Sequence, residues 1–192
     1  MMDAMSPHAA PTALQEEPDE ALMLRFGRGD LAAFDELYRR NETRVWRFIR
    51  RSVRSAALAD ELMQDVWMRV IAQATRYQPG ALFVTWLFTI ARHRVIDAAR
   101  VARPEERLDD APPIADAAPG PEELAMYTEQ GQRLLAALDR LPWDQREAFL
   151  LQAEGGLSVA DIGVATGVPT ETAKSRLRYA RAALRAALGD AP

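Results

Sequence analysis

The chain has 192 residues, 48% of them hydrophobic, with two His, no Cys and a formal net charge of −4. Without cysteine there is no disulfide and no cysteine-zinc site, and with one of the two histidines, His8, in a tail, no histidine-built metal site or other cofactor is expected. No run reaches the ~18 apolar residues of a membrane span, and the acidic first twenty residues lack the apolar stretch of a secretory signal, so a soluble, cytoplasmic protein of one or two modest domains is expected.

The net charge conceals a strong segmental pattern. Residues 1–20 carry five acids and no base, residues 21–103 carry 15 Arg against eight acids, residues 104–123 carry one Arg against seven acids, and residues 124–192 carry eight of each. An acidic tail and an acidic linker thus offset a basic first domain. Residues 1–18, rich in Ala, Pro and Glu without periodicity, read as a disordered tail. A two-turn helix is expected over Asp19 to Phe26, broken by Gly27 and Gly29. Asp30 is placed to cap the next helix, in which Leu31, Phe34, Leu37, Tyr38, Val45, Trp46, Phe48 and Ile49 follow helical spacing. Its polar side holds Arg39, Arg40, Arg44, Arg47, Arg50, Arg51 and Arg54, a face that suits DNA, a protein partner or solvent equally. From Ala56 to Ala74 one apolar row (Leu58, Leu62, Val66, Val70) lies beside a second (Met63, Trp67, Ile71). Asp60, Glu61, Gln64 and Asp65 cluster on what remains. The helix dipole accounts for Asp60 and Glu61 but poorly for Gln64 and Asp65, further along.

After a turn at Tyr77 to Ala81, Phe83 to Arg103 reads as one helix with two faces. At ~100° per residue, Phe83, Trp86, Leu87, Ile90, Ala91 and Ala98 form a core side. Thr85, Thr89, Arg92, His93, Ile96, Arg100 and Arg103 form a stripe on the other. A solvated face usually mixes both signs of charge, and this stripe carries no acid, which points to a polyanionic partner.

Residues 104–121 form a linker: Pro, Ala and acids dominate, and Pro112-Pro113 forbids helix. Beyond it, Leu124, Leu134, Leu135, Leu138 and Leu141 predict a helix to about Arg140. Pro142 is expected in the first turn of the next helix, which ends at Gly155-Gly156. Ser158 and Asp161 predict a capping box for a short helix ending at Thr166-Gly167. Thr170 is expected to cap a long helix to Leu188, closed by Gly189. No strand pattern and no internal repeat appears. The expected fold is therefore all-α: two small helical domains joined by a flexible acidic linker, residues 19–103 and 122–190, the second containing a helix-turn-helix. In its last helix Ala173, Leu177, Ala180 and Leu184 make a narrow core face. Thr172, Ser175 and Arg176 lie near the end that meets base edges in such motifs, and Lys174, Arg178, Arg181 and Arg185 make a basic edge suited to phosphates. Glu171 either favours the dipole or accepts from a cytosine amino group.

Four ordered motifs then resemble those of bacterial sigma factors of the extracytoplasmic-function (ECF) group of the sigma-70 family, over roughly Glu20 to Leu188. They are Glu61-Leu62-Met63-Gln64-Asp65-Val66-Trp67; the series Phe83, Trp86, Leu87, Ile90, Ala91, His93, Asp97, Arg100; the series Leu141, Pro142, Arg146, Phe149, Leu150; and Glu171-Thr172-Ala173-Lys174-Ser175-Arg176-Leu177-Arg178-Tyr179-Ala180. His93 stands where the family has Asn, and Glu171, Ala173 and Tyr179 replace the usual Gly, Val and Arg. The resemblance implies a non-catalytic subunit that joins core RNA polymerase, touching its β and β′ subunits, and directs it to promoter DNA. Asp60, Glu61, Gln64 and Asp65 would dock on a β′ coiled coil through charge-assisted hydrogen bonds. Thr85, Thr89, Arg92, His93, Ile96 and Arg100 would read the melted −10 element, with the loop Thr75 to Leu82 beside them, as in single-strand recognition. Thr172, Lys174, Ser175, Arg176 and Arg178 would read the −35 duplex, and the acidic linker would thread near the polymerase channel. Members of this group are often held by an anti-sigma factor, which nothing in the sequence identifies. Trp46, Trp67 and Trp86 read as core, and Asp97 as a local organiser of His93, Arg94 and Arg100. His93 itself is either a base or phosphate contact or a solvated partner of Asp97. The competing reading is a stand-alone helix-turn-helix regulator, which leaves Asp60 to Asp65 unexplained; an enzyme finds no nucleophile–base pair, phosphate loop or metal cluster in the sequence.

Overall fold

The computed structural model describes residues 11–53, 55–102 and 128–189, and the regular structure among them is helical throughout. The first half holds α1 (Pro11–Glu16), α2 (Asp19–Phe26), α3 (Leu31–Arg50), α4 (Ala56–Gln73) with a 3₁₀ turn at Ala74–Arg76, and α5 (Phe83–Ala102). The second holds α6 (Glu129–Asp139), α7 (Trp143–Ala153), α8 (Val159–Thr166) and α9 (Thr170–Leu188).

Local chemistry explains most of the boundaries. Asp30 accepts from the Ala33 N–H at 3.3 Å and Ser55 from the Leu58 N–H at 3.0 Å, each satisfying an orphan donor of a first turn. Ser158 and Asp161 close the expected capping box, and Gly167 ends α8 in the left-handed region at φ 70°, where a Cβ is penalised. Two expectations shift by one position. Pro142 precedes α7 as its N-cap and is not in its first turn, and Thr170 does not cap α9 but is its first residue. Pro169 takes the cap position, its carbonyl accepting from the Thr172 and Ala173 N–H groups; a proline there has no N–H to leave unsatisfied. Thr128 caps α6 through the Gly131 N–H at 3.2 Å. Leu124, Arg54 and Arg103 lie outside the described residues, as does the linker.

The expected tail is folded at its end. Leu14 is buried, Glu17 pairs with Arg25 at 2.5 Å, and Arg40 donates to the carbonyls of Leu14 and Glu17 and to Asp19. One arginine thereby anchors three groups of the incoming chain. α2 also acts at a distance: Glu20 accepts from the Phe83 N–H at 2.5 Å and so caps α5.

The buried faces of α5 and α9 follow the sequence periodicity, and so do most of those of α3 and α4; in α3 Leu31 and Tyr38, expected in the apolar row, are exposed. Phe83, Leu87, Ile90 and Ala91 are buried as expected, and so are Ala173, Leu177, Ala180 and Leu184. Trp86 packs edge-on to Tyr77 at 5.2 Å and beside Phe83, which makes it core. Phe88 and Val95, outside the expected face, are also fully buried. The reason is tertiary: a single apolar cluster runs from the first half into Ala148, Leu150, Leu151, Leu157, Ile162, Ala165, Ala173 and Leu177 of the second. A smaller cluster joins α6 to the far part of α9. α5 therefore has partners on two sides, and α8 packs against it.

Candidate nucleic-acid interface

Three surfaces carry the residues singled out by the sequence. On α4, Asp60, Glu61, Gln64 and Asp65 are all exposed. Asp60 accepts from the Trp46 indole N–H at 3.0 Å, which fixes the patch to α3. The same outer face continues into Met68 and Ile71, which are 63% and 42% exposed. Ile71 is therefore not part of the buried row in which its spacing put it. The α4 surface combines carboxylates with exposed apolar side chains one and two turns later, a composition suited to a protein partner.

The α5 stripe divides. His93 and Arg100 are exposed, Thr89 and Ile96 half-buried. Thr85 is 1% exposed, and its hydroxyl has no hydrogen-bond partner, so in this arrangement it points into the protein and not to solvent. Thr89 donates back to the Thr85 carbonyl at 2.8 Å. Arg94, and not His93, is the residue bonded to Asp97, at 2.7 Å. Partial burial of the ring, followed by the charge of Arg92, pushes the His93 imidazole below its ordinary value although the residue as a whole is exposed.

Arg92 does not lie free on its stripe. Its guanidinium donates at 2.8 Å to Glu147 of α7, a carboxylate 1% exposed. Burial pushes the Glu147 carboxyl up, against the pull of Arg92. Other arginines on α3 also cross between the halves. Arg44 donates to the Glu154 carbonyl at 2.9 Å and to the Gly155 carbonyl, capping the C-terminus of α7 where the helix dipole favours a cation. Arg51 pairs with Glu154 at 3.2 Å, and Arg146 donates to the Arg51 carbonyl and pairs with Asp139 at 2.8 Å. Gly155 sits at the tightest point: a Cβ there would stand 2.6 Å from a Leu157 methyl and 3.2 Å from the Phe88 ring. Arg44 and Arg51 therefore serve none of the three uses expected of the arginine face: they dock the second half of the same chain.

On α9 the recognition end is open. Thr172, Lys174 and Arg178 are exposed, Ser175 and Arg176 half-buried. Arg176 pairs with Asp144 of α7, and Glu171 with Lys174 at 3.5 Å. Arg178 lies over the Tyr179 ring at 5.0 Å, and Arg181 and Arg185 continue the exposed basic edge. The cross-connections through Arg44, Arg51 and Glu147 were missed by sequence reasoning, although one signal was available. Arg146 and Glu147 share a helix face with Leu150 and Leu151, and charged side chains on an apolar face require partners.

A helical unit with a basic stripe, followed by a helix-turn-helix whose last helix leaves its basic edge exposed, has the make-up of a two-part DNA-binding protein. The comparisons with known proteins specify it further. Residues 37–105 match the model of Sigma-70 region 2 and residues 131–184 that of Sigma-70, region 4. The RNA polymerase sigma factor CarQ of Myxococcus xanthus is 37% identical over 172 residues, covering 88% of this chain and 96% of that protein. The ECF RNA polymerase sigma factor SigM of Mycobacterium tuberculosis is 33% identical over 176 residues, covering 91% and 86%. In shape, the chain is similar to the sigma factor RpoE in complex with the anti-sigma factor NepR from Bartonella quintana, with TM-score 0.64, 24% identity and coverage of 81% and 96%. The chain belongs to the ECF group of the sigma-70 family of RNA polymerase sigma factors.

Proposed function

We propose that this sigma factor docks on the β′ coiled coil of core RNA polymerase through Asp60, Glu61, Gln64 and Asp65 and then reads a promoter with two separate helices. Thr89, Arg92, His93, Ile96 and Arg100 of α5 meet the melted −10 strand, where cationic and hydroxyl side chains grip the backbone and splayed bases. Thr172, Ser175 and Arg176 reach base edges of the −35 duplex, while Lys174 and Arg178 hold its phosphates. Thr85 meets DNA only after the surface over it has been uncovered. The protein contributes recognition and no catalytic step, and works in the cytoplasm beside the polymerase.

The observation that supports this reading best is the exposed carboxylate patch on α4. It stands on an otherwise basic half of the molecule and is of no use to a stand-alone DNA-binding regulator. The test is run-off transcription with sigma-free core polymerase on genomic fragments of the host. Specific transcripts are expected, and they vanish with Asp65→Arg. Tight duplex binding without polymerase, and no transcript on any fragment, returns the chain to the stand-alone reading. An anti-sigma protein that spans both halves is a further partner; its co-purification from the host checks this, and recovery of core polymerase alone counts against it.

A further inference from the structure

Helix α5 begins without a cap of its own. Leu82, whose carbonyl accepts from the Trp86 N–H at 3.2 Å, stands directly before it and has no side-chain oxygen to offer the first-turn donors. The acceptor comes from α2. Glu20 takes the Phe83 N–H at 2.5 Å, a carboxylate at the end of the helix where the dipole favours one. Its neighbour turns to α3 instead: Asp19 accepts from Arg40 at 2.8 Å and from the Asn41 amide at 3.0 Å. α2 is therefore tied to α3 through one carboxylate and to α5 through the next, and its Leu22 and Met23 are fully buried.

The same helix holds the other end of the loop that leads into α5. A Cβ at Gly27, the residue that closes α2, would stand 2.5 Å from the Ala74 carbonyl oxygen, so glycine is what lets α2 meet the 3₁₀ turn this closely. Tyr77, which follows that turn, is buried, with its ring edge-on to Phe83 at 6.1 Å. Burial, followed by the charges of Glu20 and Asp19, pushes its hydroxyl up to about 12, so the phenol lies within the field of the α2 carboxylates. Between these two anchors Gln78 to Leu82 are all exposed. An exposed loop with both ends fixed offers its groups in one geometry, as recognition of a splayed base requires. We propose that α2 is the mount of this loop and that Glu20 is a positioning residue for −10 recognition: by fixing the point at which α5 starts, it sets the loop and the beginning of the α5 stripe against the melted strand. The proposal rests on the −10 role proposed above for α5. Without Glu20 an orphan N–H of the first turn loses its acceptor and that turn frays, while the packing of Phe83 with Tyr77 and Trp86 and the ties of Asp19 to α3 keep the fold.

The test uses holoenzyme assembled with core polymerase and a fluorescent single strand copied from the −10 region of a promoter found by run-off transcription. Glu20→Ala is expected to weaken binding of that strand about tenfold, as the loss of one charge-assisted hydrogen bond allows, and to discriminate less among the four bases at one of its positions. Affinity for core polymerase and the footprint over the −35 duplex are expected to match the parent. Glu20→Gln, whose amide oxygen can still accept from Phe83, is expected to restore both affinity and base preference. Strand binding by Glu20→Ala equal to the parent's overturns the proposal. A parallel fall in strand, core and −35 binding also overturns it, because that is the mark of a damaged fold, and a Gln variant as weak as the Ala variant overturns the acceptor role. Arg100→Ala reports separately on the underlying reading: undiminished strand binding there removes the −10 role from α5, whereas a loss in Arg100→Ala with none in Glu20→Ala removes only the mount.

Discussion

Helices α5 and α9 invite comparison, because both carry an arginine-rich, acid-poor face and both present it to a carboxylate of α7. On α9 the basic edge stays in solvent, its core face is only four residues wide, and Arg176 pairs with an aspartate whose side chain is 42% exposed. On α5 the stripe is partly enclosed, Thr85 is inside, and Arg92 meets a carboxylate removed from water. Similar side chains are therefore held on very different terms. An exposed pair is exchanged for phosphate at little cost, whereas a buried pair must be uncovered before it is exchanged. Of the two surfaces proposed to read DNA, the one on α5 is thus gated by tertiary structure and the one on α9 is not.

The largest effects should separate the two arginines. Arg92→Ala strands Glu147 and is expected to lower stability by about 3 kcal/mol, the low end for a broken buried pair because the carboxyl can neutralise itself. Arg176→Ala is expected to cost under ~1 kcal/mol, although both variants lose promoter-specific run-off at least about tenfold. Equal losses of stability in urea unfolding would erase the contrast. Gly155→Ala places a Cβ 2.4 Å from the Leu151 carbonyl oxygen as well as against Leu157 and Phe88. It is expected to cost about 2 kcal/mol by overpacking, and a wild-type midpoint would show that the Gly155 turn is not tightly packed.

A smaller effect concerns the foundation on which α3 carries its arginines. Hydrogen bonds from Arg39, then Arg40, pull the Glu36 carboxyl down to about 2. A depressed carboxyl stabilises the fold above its unfolded value, near 4.5, and that stabilisation is lost as pH falls from there toward 2. Glu36→Gln is therefore expected to cost roughly 1 kcal/mol at pH 7, with a gap to the parent that narrows by pH 3 in parallel thermal melts. The smallest change in stability is expected for His93→Asn, within about 0.5 kcal/mol, as for an exposed site. Its effect should fall on promoter choice: the run-off profile shifts between fragments while polymerase affinity holds. An unchanged profile would make His93 a solvated side chain.

Much of this was readable along the chain. Helix periods, the caps at Asp30, Ser158 and Asp161, the Gly167 stop and the core row Ala173, Leu177, Ala180, Leu184 all depend on residues within four positions of one another, and the family motifs lie on those helices. Reading failed where a residue's environment comes from elsewhere. Ile71 has core spacing but no element over it. Phe88 and Val95 fall off the expected face and are buried because α5 is packed on a second side. Glu20 caps a helix that begins 63 residues later, and Arg44 caps one through a carbonyl 110 residues away.

The sequence by itself determined two helical units, most of their inner faces and the positions of the charged residues proposed to meet DNA and polymerase. Such features follow from local geometry, in which side chains three or four apart share a helix face whatever surrounds them. Only the tertiary structure decided that the units close on each other and that Arg92 and Arg176 are already occupied. Those outcomes depend on the fit between surfaces far apart in the chain, which no local period records.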